Sequence, residues 1–153
     1  MSTLSLKAIE VAKLNLSEHE EPKGSNAGKD VEEFLSAVGL GPGYAWCMAF
    51  VYFCFWKASE EWDIVNPLTK TGGVLNQWNK HPELRQSIPE VGDILIMDFG
   101  KGRGHTGIVY KVDATYIYTI EGNTNDEGGR EGYEVAYMKR KRTEKTIKGY
   151  LRA

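Results

Sequence analysis

Residues 41–56 read Gly-Pro-Gly-Tyr-Ala-Trp-Cys-Met-Ala-Phe-Val-Tyr-Phe-Cys-Phe-Trp. Gly41-Pro42-Gly43 is a turn signature. From Trp46 to Trp56 the run is apolar on every side, the pattern of a helix sunk in a core rather than laid on a surface. A turn followed at once by a buried helix puts Cys47 at the helix N-terminus, where the dipole and free backbone N–H groups favour a thiolate. Its backbone N–H is also placed to serve as an oxyanion donor. Position alone leaves two readings of Cys47 open, a nucleophile and a small buried hydrophobe. Cys54 lies two turns further on, has no terminus to activate it, and reads as core. Seven helical residues separate the two Cα atoms by about 10 Å, beyond the roughly 7 Å reach of a disulfide. Two free thiols are expected.

Working outward, Leu4 to Leu16 has a helical rhythm carried by Leu6, Ile9 and Leu16. The polar stretch 17–28, with Pro22, Gly24 and Gly28, is a loop. Val31, Phe34, Leu35 and Val38 give a second helix, with Gly39 as its C′ residue. Residues 63–71 read as irregular, and 73–80 as a short helix holding Leu75 and Trp78. After Glu90 the texture changes. Asp93 to Asp98 is a buried strand, and Gly100 to Gly104 a glycine-rich turn. His105 to Val112 and Thr115 to Glu121 are strands joined at Asp113-Ala114, and Tyr133 to Lys141 and Thr146 to Leu151 are two more. Helices followed by an antiparallel run of strands define an α+β fold, with Cys47 at a helix N-terminus packed on the sheet.

The chain has 153 residues, the size of one domain, and we read 1–153 as a single catalytic unit. Hydrophobic residues make up 41% and charged residues 26%. Both values are ordinary for a globular protein. A net charge of −2 argues against a dedicated nucleic-acid binder, which carries a basic excess. No apolar run approaches the roughly 20 residues that span a bilayer, so no membrane insertion is expected. Residues 1–16 lack the basic start and apolar core of a secretory signal. Synthesis in the cytoplasm, as a monomer, is the expectation.

A thiol nucleophile needs a base, and there are three histidines. His19 sits in an acidic loop and His81 precedes Pro82 in a polar one; both read as surface residues. His105 opens a strand after Gly102 and Gly104, glycines that leave its face uncovered by side chains. Counting back across the Asp113-Ala114 turn places Glu121 roughly opposite it, and a carboxylate there would fix the imidazole tautomer and stabilise the imidazolium. Asn123 could orient the ring instead or support Glu121; turn chemistry is the bland reading of Asn123 and Asn125.

The segments Gly43-Tyr44-Ala45-Trp46-Cys47-Met48-Ala49-Phe50-Val51, Pro89-Glu90-Val91-Gly92-Asp93-Ile94, Gly104-His105-Thr106-Gly107-Ile108-Val109 and Ile120-Glu121-Gly122-Asn123 resemble, in order, those of CHAP domains. These are cysteine, histidine-dependent amidohydrolases/peptidases of the papain-like group. Gly24-Ser25-Asn26-Ala27-Gly28 resembles a segment of one branch of them. The resemblance implies a papain-like fold with Cys47 as nucleophile, His105 as general base, Glu121 orienting it and Asn123 alongside. The implied substrate is an amide bond of bacterial peptidoglycan, cut by acylation and hydrolysis of the thiol. That bond is either the one between sugar and L-alanine or one within the stem peptide and cross-bridge. Tyr44 and Trp46 are expected as groove walls, with Gly104 beside the base and Asn26 added on resemblance only.

Some relatives hold calcium through aspartates just before the nucleophile. Residues 39–46 here carry no carboxylate, and oxygen-rich sites need several. No metal and no cofactor are expected. A lone catalytic domain suits a phage lysin or an injected antibacterial effector acting on the wall, and the latter would have a cognate inhibitor or immunity protein. Two alternatives stand beside this reading: a thiol amidase acting on a small molecule, and an inactive wall-binding module. Lys139-Arg140-Lys141-Arg142 reads as a solvated edge strand, where lysines discourage pairing. Trp62 and Trp78 read equally as groove floor or core.

Overall fold

The computed structural model describes residues 2–124 and 132–153. Four helices precede the sheet: α1 (Thr3–Leu14), α2 (Lys29–Ala37), α3 (Cys47–Trp62) and α4 (Val74–Lys80). The strands are β1 (Arg85–Gln86), β2 (Ile94–Gly100), β3 (Arg103–Val112), β4 (Tyr116–Thr124), β5 (Glu134–Lys141) and β6 (Ile147–Leu151). They form one antiparallel sheet in the order β1-β6-β2-β3-β4-β5. The fold is α+β with the helices first, consistent with the papain-like arrangement.

Each helix ends where its chemistry changes. Ser2 caps α1, accepting from the Ser5 N–H at 3.0 Å while the Ser2 N–H donates to Ser5 Oγ, the reciprocal pairing that satisfies orphan donors of a first turn. That helix stops at Leu14, short of Leu16, because Asn15 caps it and turns its side chain back to the Val11 carbonyl. Gly39, at φ 80°, follows the α2 C-cap as expected. The helix continues past the apolar run, from Trp56 through Lys57-Ala58-Ser59-Glu60-Glu61 to Trp62, and Asp63 ends α3 in a left-handed conformation.

Ten residues of α3 are buried, including Cys54. Phe34 of α2 stacks on Trp46 at 5.6 Å and meets Phe50 and Phe53 edge-on at 5.2 and 5.0 Å. These are the offset and edge-to-face arrangements that aromatic quadrupoles prefer. Successive residues of β2 serve different cores, because strand side chains alternate between faces. Ile94 and Ile96 join the helices, while Leu95 and Met97 pack with Val109, Ile117 and Tyr150. This double burial is why β2 reads as a continuous apolar run.

Two surface readings need correction. His81 is 9% exposed and bonded on both ring nitrogens, to Thr69 and Glu83. The polar loop folds over α4, which pattern alone does not reveal. The basic run does lie on the edge strand β5, with Lys139 and Lys141 exposed, but Arg140 turns inward and is buried.

Candidate active site

Cys47 is the first residue of α3 and is buried, with Trp46 at the N-cap. The approach to this helix end is held from below. Trp46 donates its indole N–H to Glu20 Oε2 at 2.8 Å, and Glu20 Oε1 accepts from the Gly24 N–H at 2.8 Å. Trp46 is therefore not a groove wall. Its ring is 0% exposed and belongs to the core. Its size and flat stacking on Phe34 anchor the turn that presents Cys47. Tyr44, two residues earlier, is 55% exposed beside that turn. Asn26 touches the same turn through its backbone, its carbonyl accepting from the Gly43 N–H at 2.8 Å.

The other half of the site comes from the sheet. Ile108 pairs with Ile120, which sets Gly107 beside Glu121. A Cβ on Gly107 would stand 2.5 Å from Glu121 Cγ, so glycine here is what lets the carboxylate stem lie across β3. His105, two residues along, meets that carboxylate: His105 Nε2 and Glu121 Oε1 are 2.6 Å apart, both side chains fully buried. Gly122 lets β4 approach α3, since a Cβ there would stand 2.8 Å from both Phe50 Cβ and Trp46. Gly104 is not an open face beside His105. It is buried, and a Cβ would meet Val74 at 2.9 Å, so its smallness serves the packing of α4 on β3.

Glu121 has two further partners that the sequence did not suggest. Arg140 grips both oxygens, Nε to Oε2 at 2.8 Å and Nη2 to Oε1 at 2.7 Å, and Thr119 Oγ1 donates to Oε2 at 2.6 Å. The fork geometry is the bidentate form in which guanidinium binds carboxylate. Strand alternation could have found Thr119, which shares a face with Glu121. Arg140 was hidden among basic neighbours that do face solvent.

Burial disfavours both charged forms, but their mutual attraction outweighs it. Glu121 is lowered from 4.5 to about 2, against desolvation, by the charges and hydrogen bonds of His105 and Arg140. His105 is raised from 6.5 to about 9, against desolvation, by Glu121 and by the thiol of Cys47 when ionised. With Nε2 committed to Glu121, Nδ1 is the ring nitrogen left for that thiol. It is buried without a hydrogen-bond partner in the resting geometry. Cys54, by contrast, is pushed well above the ordinary thiol range, by burial first and then by Glu18.

Asn123 ends the line of site residues on β4. It is buried, in a left-handed backbone conformation at φ 54°, and neither atom of its amide has a partner. Such atoms are rare in folded proteins and concentrate where a ligand completes them. Asn125 lies outside the described residues. Among the described residues no group of three or more His, Cys, Asp or Glu side chains could hold a metal ion. A family model described as CHAP domain matches residues 39–123, a span that holds Cys47, His105, Glu121 and Asn123 but neither Asn26 nor Arg140. No curated protein and no solved structure matches the chain.

Proposed function

The chain belongs to the CHAP domain family, whose members are generally amidase or peptidase hydrolases, and from that premise we propose that it cleaves amide bonds of bacterial peptidoglycan by a thiol mechanism. The observation that supports the chemistry most is a buried imidazole with one nitrogen fixed on a carboxylate and the other open, beside a cysteine at a helix N-terminus.

Each step follows from those positions. His105, raised to about 9 against desolvation, is the base that takes the proton of Cys47 Sγ on Nδ1. The Nε2–H stays on Glu121, which fixes the tautomer and compensates the imidazolium. Sγ adds to the amide carbonyl, and the developing oxyanion takes a hydrogen bond from the Cys47 backbone N–H, left free by the helix start. His105 returns its proton to the leaving amine as the C–N bond breaks, leaving a thioester on Cys47. Water, deprotonated by Nδ1, hydrolyses the thioester and releases the acid and the free thiol.

The substrate class is the wall amide, either N-acetylmuramoyl-L-alanine or a stem-peptide or cross-bridge bond. The place of action is the wall, reached by lytic release or by injection from another cell. A cognate inhibitor of an injected form would cover the Cys47 cleft. Digestion of isolated Gram-negative sacculi by wild type and Cys47→Ala, with products read by mass spectrometry, tests the reading. Fragments from wild type alone are expected, and their masses identify the bond. Fragments from both proteins would sink the mechanism, and intact sacculi beside a fast-alkylating Cys47 would sink the substrate.

A further inference from the structure

We propose that Arg140 is a positioning residue of this site: it locks the Glu121 carboxylate in one orientation and moderates the pull of that carboxylate on the His105 proton. The proposal rests on the Cys47–His105 pairing above, and not on the identity of the wall substrate. Arg140 lies outside the span matched by the family model, so the role is read from this structure alone.

The carboxylate is saturated. Oε1 accepts from His105 Nε2 and Arg140 Nη2, and Oε2 accepts from Thr119 Oγ1 and Arg140 Nε. A carboxylate offers about four acceptor sites, and these contacts fill them. It has no rotation left that keeps them, so the ring that leans on it is fixed too. The sheet makes this reach possible. Arg140 stands opposite Ile117, while the residue opposite Glu121 is the small Ala136. The guanidinium can therefore run along the face past Thr119 to the carboxylate.

Charge balance points the same way. His105 faces Glu121 from β4 and Cys47 from α3. Glu121 faces His105 and Arg140, and Arg140 also faces Glu144, at 3.8 Å. Among the described residues, and with imidazole and thiol both neutral, the buried charges at the site are Arg140 positive and Glu121 negative. After the thiol proton moves, an imidazolium and a thiolate are added. The groups sum to zero in both states. Without the guanidinium the site would carry one uncompensated negative charge in a desolvated place, which is costly. An unshielded Glu121 would also hold the His105 proton harder. That helps form the imidazolium but opposes the two later steps, delivery of the proton to the leaving amine and activation of water by neutral imidazole.

Iodoacetamide alkylation of Cys47 across pH tests this without any wall substrate, so the proposal and the peptidoglycan reading can fail separately. Arg140→Met removes fork and charge, and Arg140→Lys keeps the charge alone. Neighbouring charges shift a partner by about 1–3 units. Acting through Glu121, loss of the guanidinium is expected to move the upper transition of the profile, assigned to His105, alkaline by about one unit in Arg140→Met. Arg140→Lys should stay closer to wild type. Should Arg140→Met not fold, as judged by circular dichroism, Arg140→Gln drops the charge while keeping a donor and carries the same expectation. A wild-type profile in the folded neutral variant, or equal displacement in the neutral and lysine variants, overturns the proposal.

Discussion

Two cysteines seven residues apart on one helix are different chemical species, and burial with position explains why. Cys54 sits in the middle of α3, and burial first, then the charge of Glu18, pushes its thiol up. Cys47 opens the helix beside the unpartnered nitrogen of His105. Iodoacetamide at neutral pH should therefore modify the peptide containing Cys47 and leave Cys54 unlabelled, as read by peptide mass mapping. Equal labelling of the two would contradict the assignment. At this scale the sequence was most legible where a residue type has few uses. A cysteine after a Gly-Pro-Gly turn and a histidine followed by a carboxylate one hairpin away are scarce patterns. It was least legible where a residue type has many uses. Trp46 beside a nucleophile reads as a groove wall until its N–H is seen on buried Glu20. Arg140 between two exposed lysines reads as solvent-facing until its fork is seen on Glu121.

Among the elements, the site depends on two close approaches that only glycine allows. At Gly107 strand β3 passes under the Glu121 side chain, and at Gly122 strand β4 touches the first turns of α3. Gly107→Ala would place a methyl 2.5 Å from Glu121 Cγ. Overpacking of this kind costs about 1–3 kcal/mol, and here the displaced group is the one that holds His105. The variant is expected to lose that much stability in urea denaturation and to alkylate Cys47 more slowly than wild type at neutral pH. Unchanged stability together with unchanged alkylation would remove the reason given for glycine at this position. Helices α1 to α4 and strands β2 to β6 were readable because each is long enough to show its period. The two-residue β1 has no period to show, and it exists only because β6 is there to pair with. The burial of His81 escaped for a related reason: loop residues carry no pattern, and only the folded path brings Thr69 and Glu83 to its two nitrogens.

At the scale of the whole molecule, the coupled buried charges link catalysis to stability. His105 is raised to about 9 in the folded state from 6.5. The stability gained from its protonation is present below about 6.5 and is lost as pH rises through about 9. Glu121 is lowered to about 2 from 4.5. Its contribution is present above about 4.5 and is lost as pH falls through about 2. Denaturation free energy should therefore fall between neutral pH and pH about 10, and the fall should be smaller in His105→Gln. Identical alkaline slopes in the two proteins would separate His105 from the stability of the fold. The same charges explain the limit of sequence reading for the site. Cys47, His105, Glu121 and Asn123 lie within the matched span 39–123. The compensation that lets a buried carboxylate exist comes from β5, beyond it, through a long-range contact that no local spacing encodes.

In the proposed mechanism Cys47 carries the acyl group between two half-reactions. The most direct measurement of this is acid quenching of the protein during turnover of wall fragments, followed by peptide mass mapping and by a parallel digestion with Cys47 blocked by iodoacetamide. A hydroxylamine-labile adduct is expected on the peptide containing Cys47, with the mass of the acylating fragment, and no fragment release from the blocked protein. Steady release of fragments by the blocked protein, with no adduct on that peptide in the unblocked one, would contradict the mechanism.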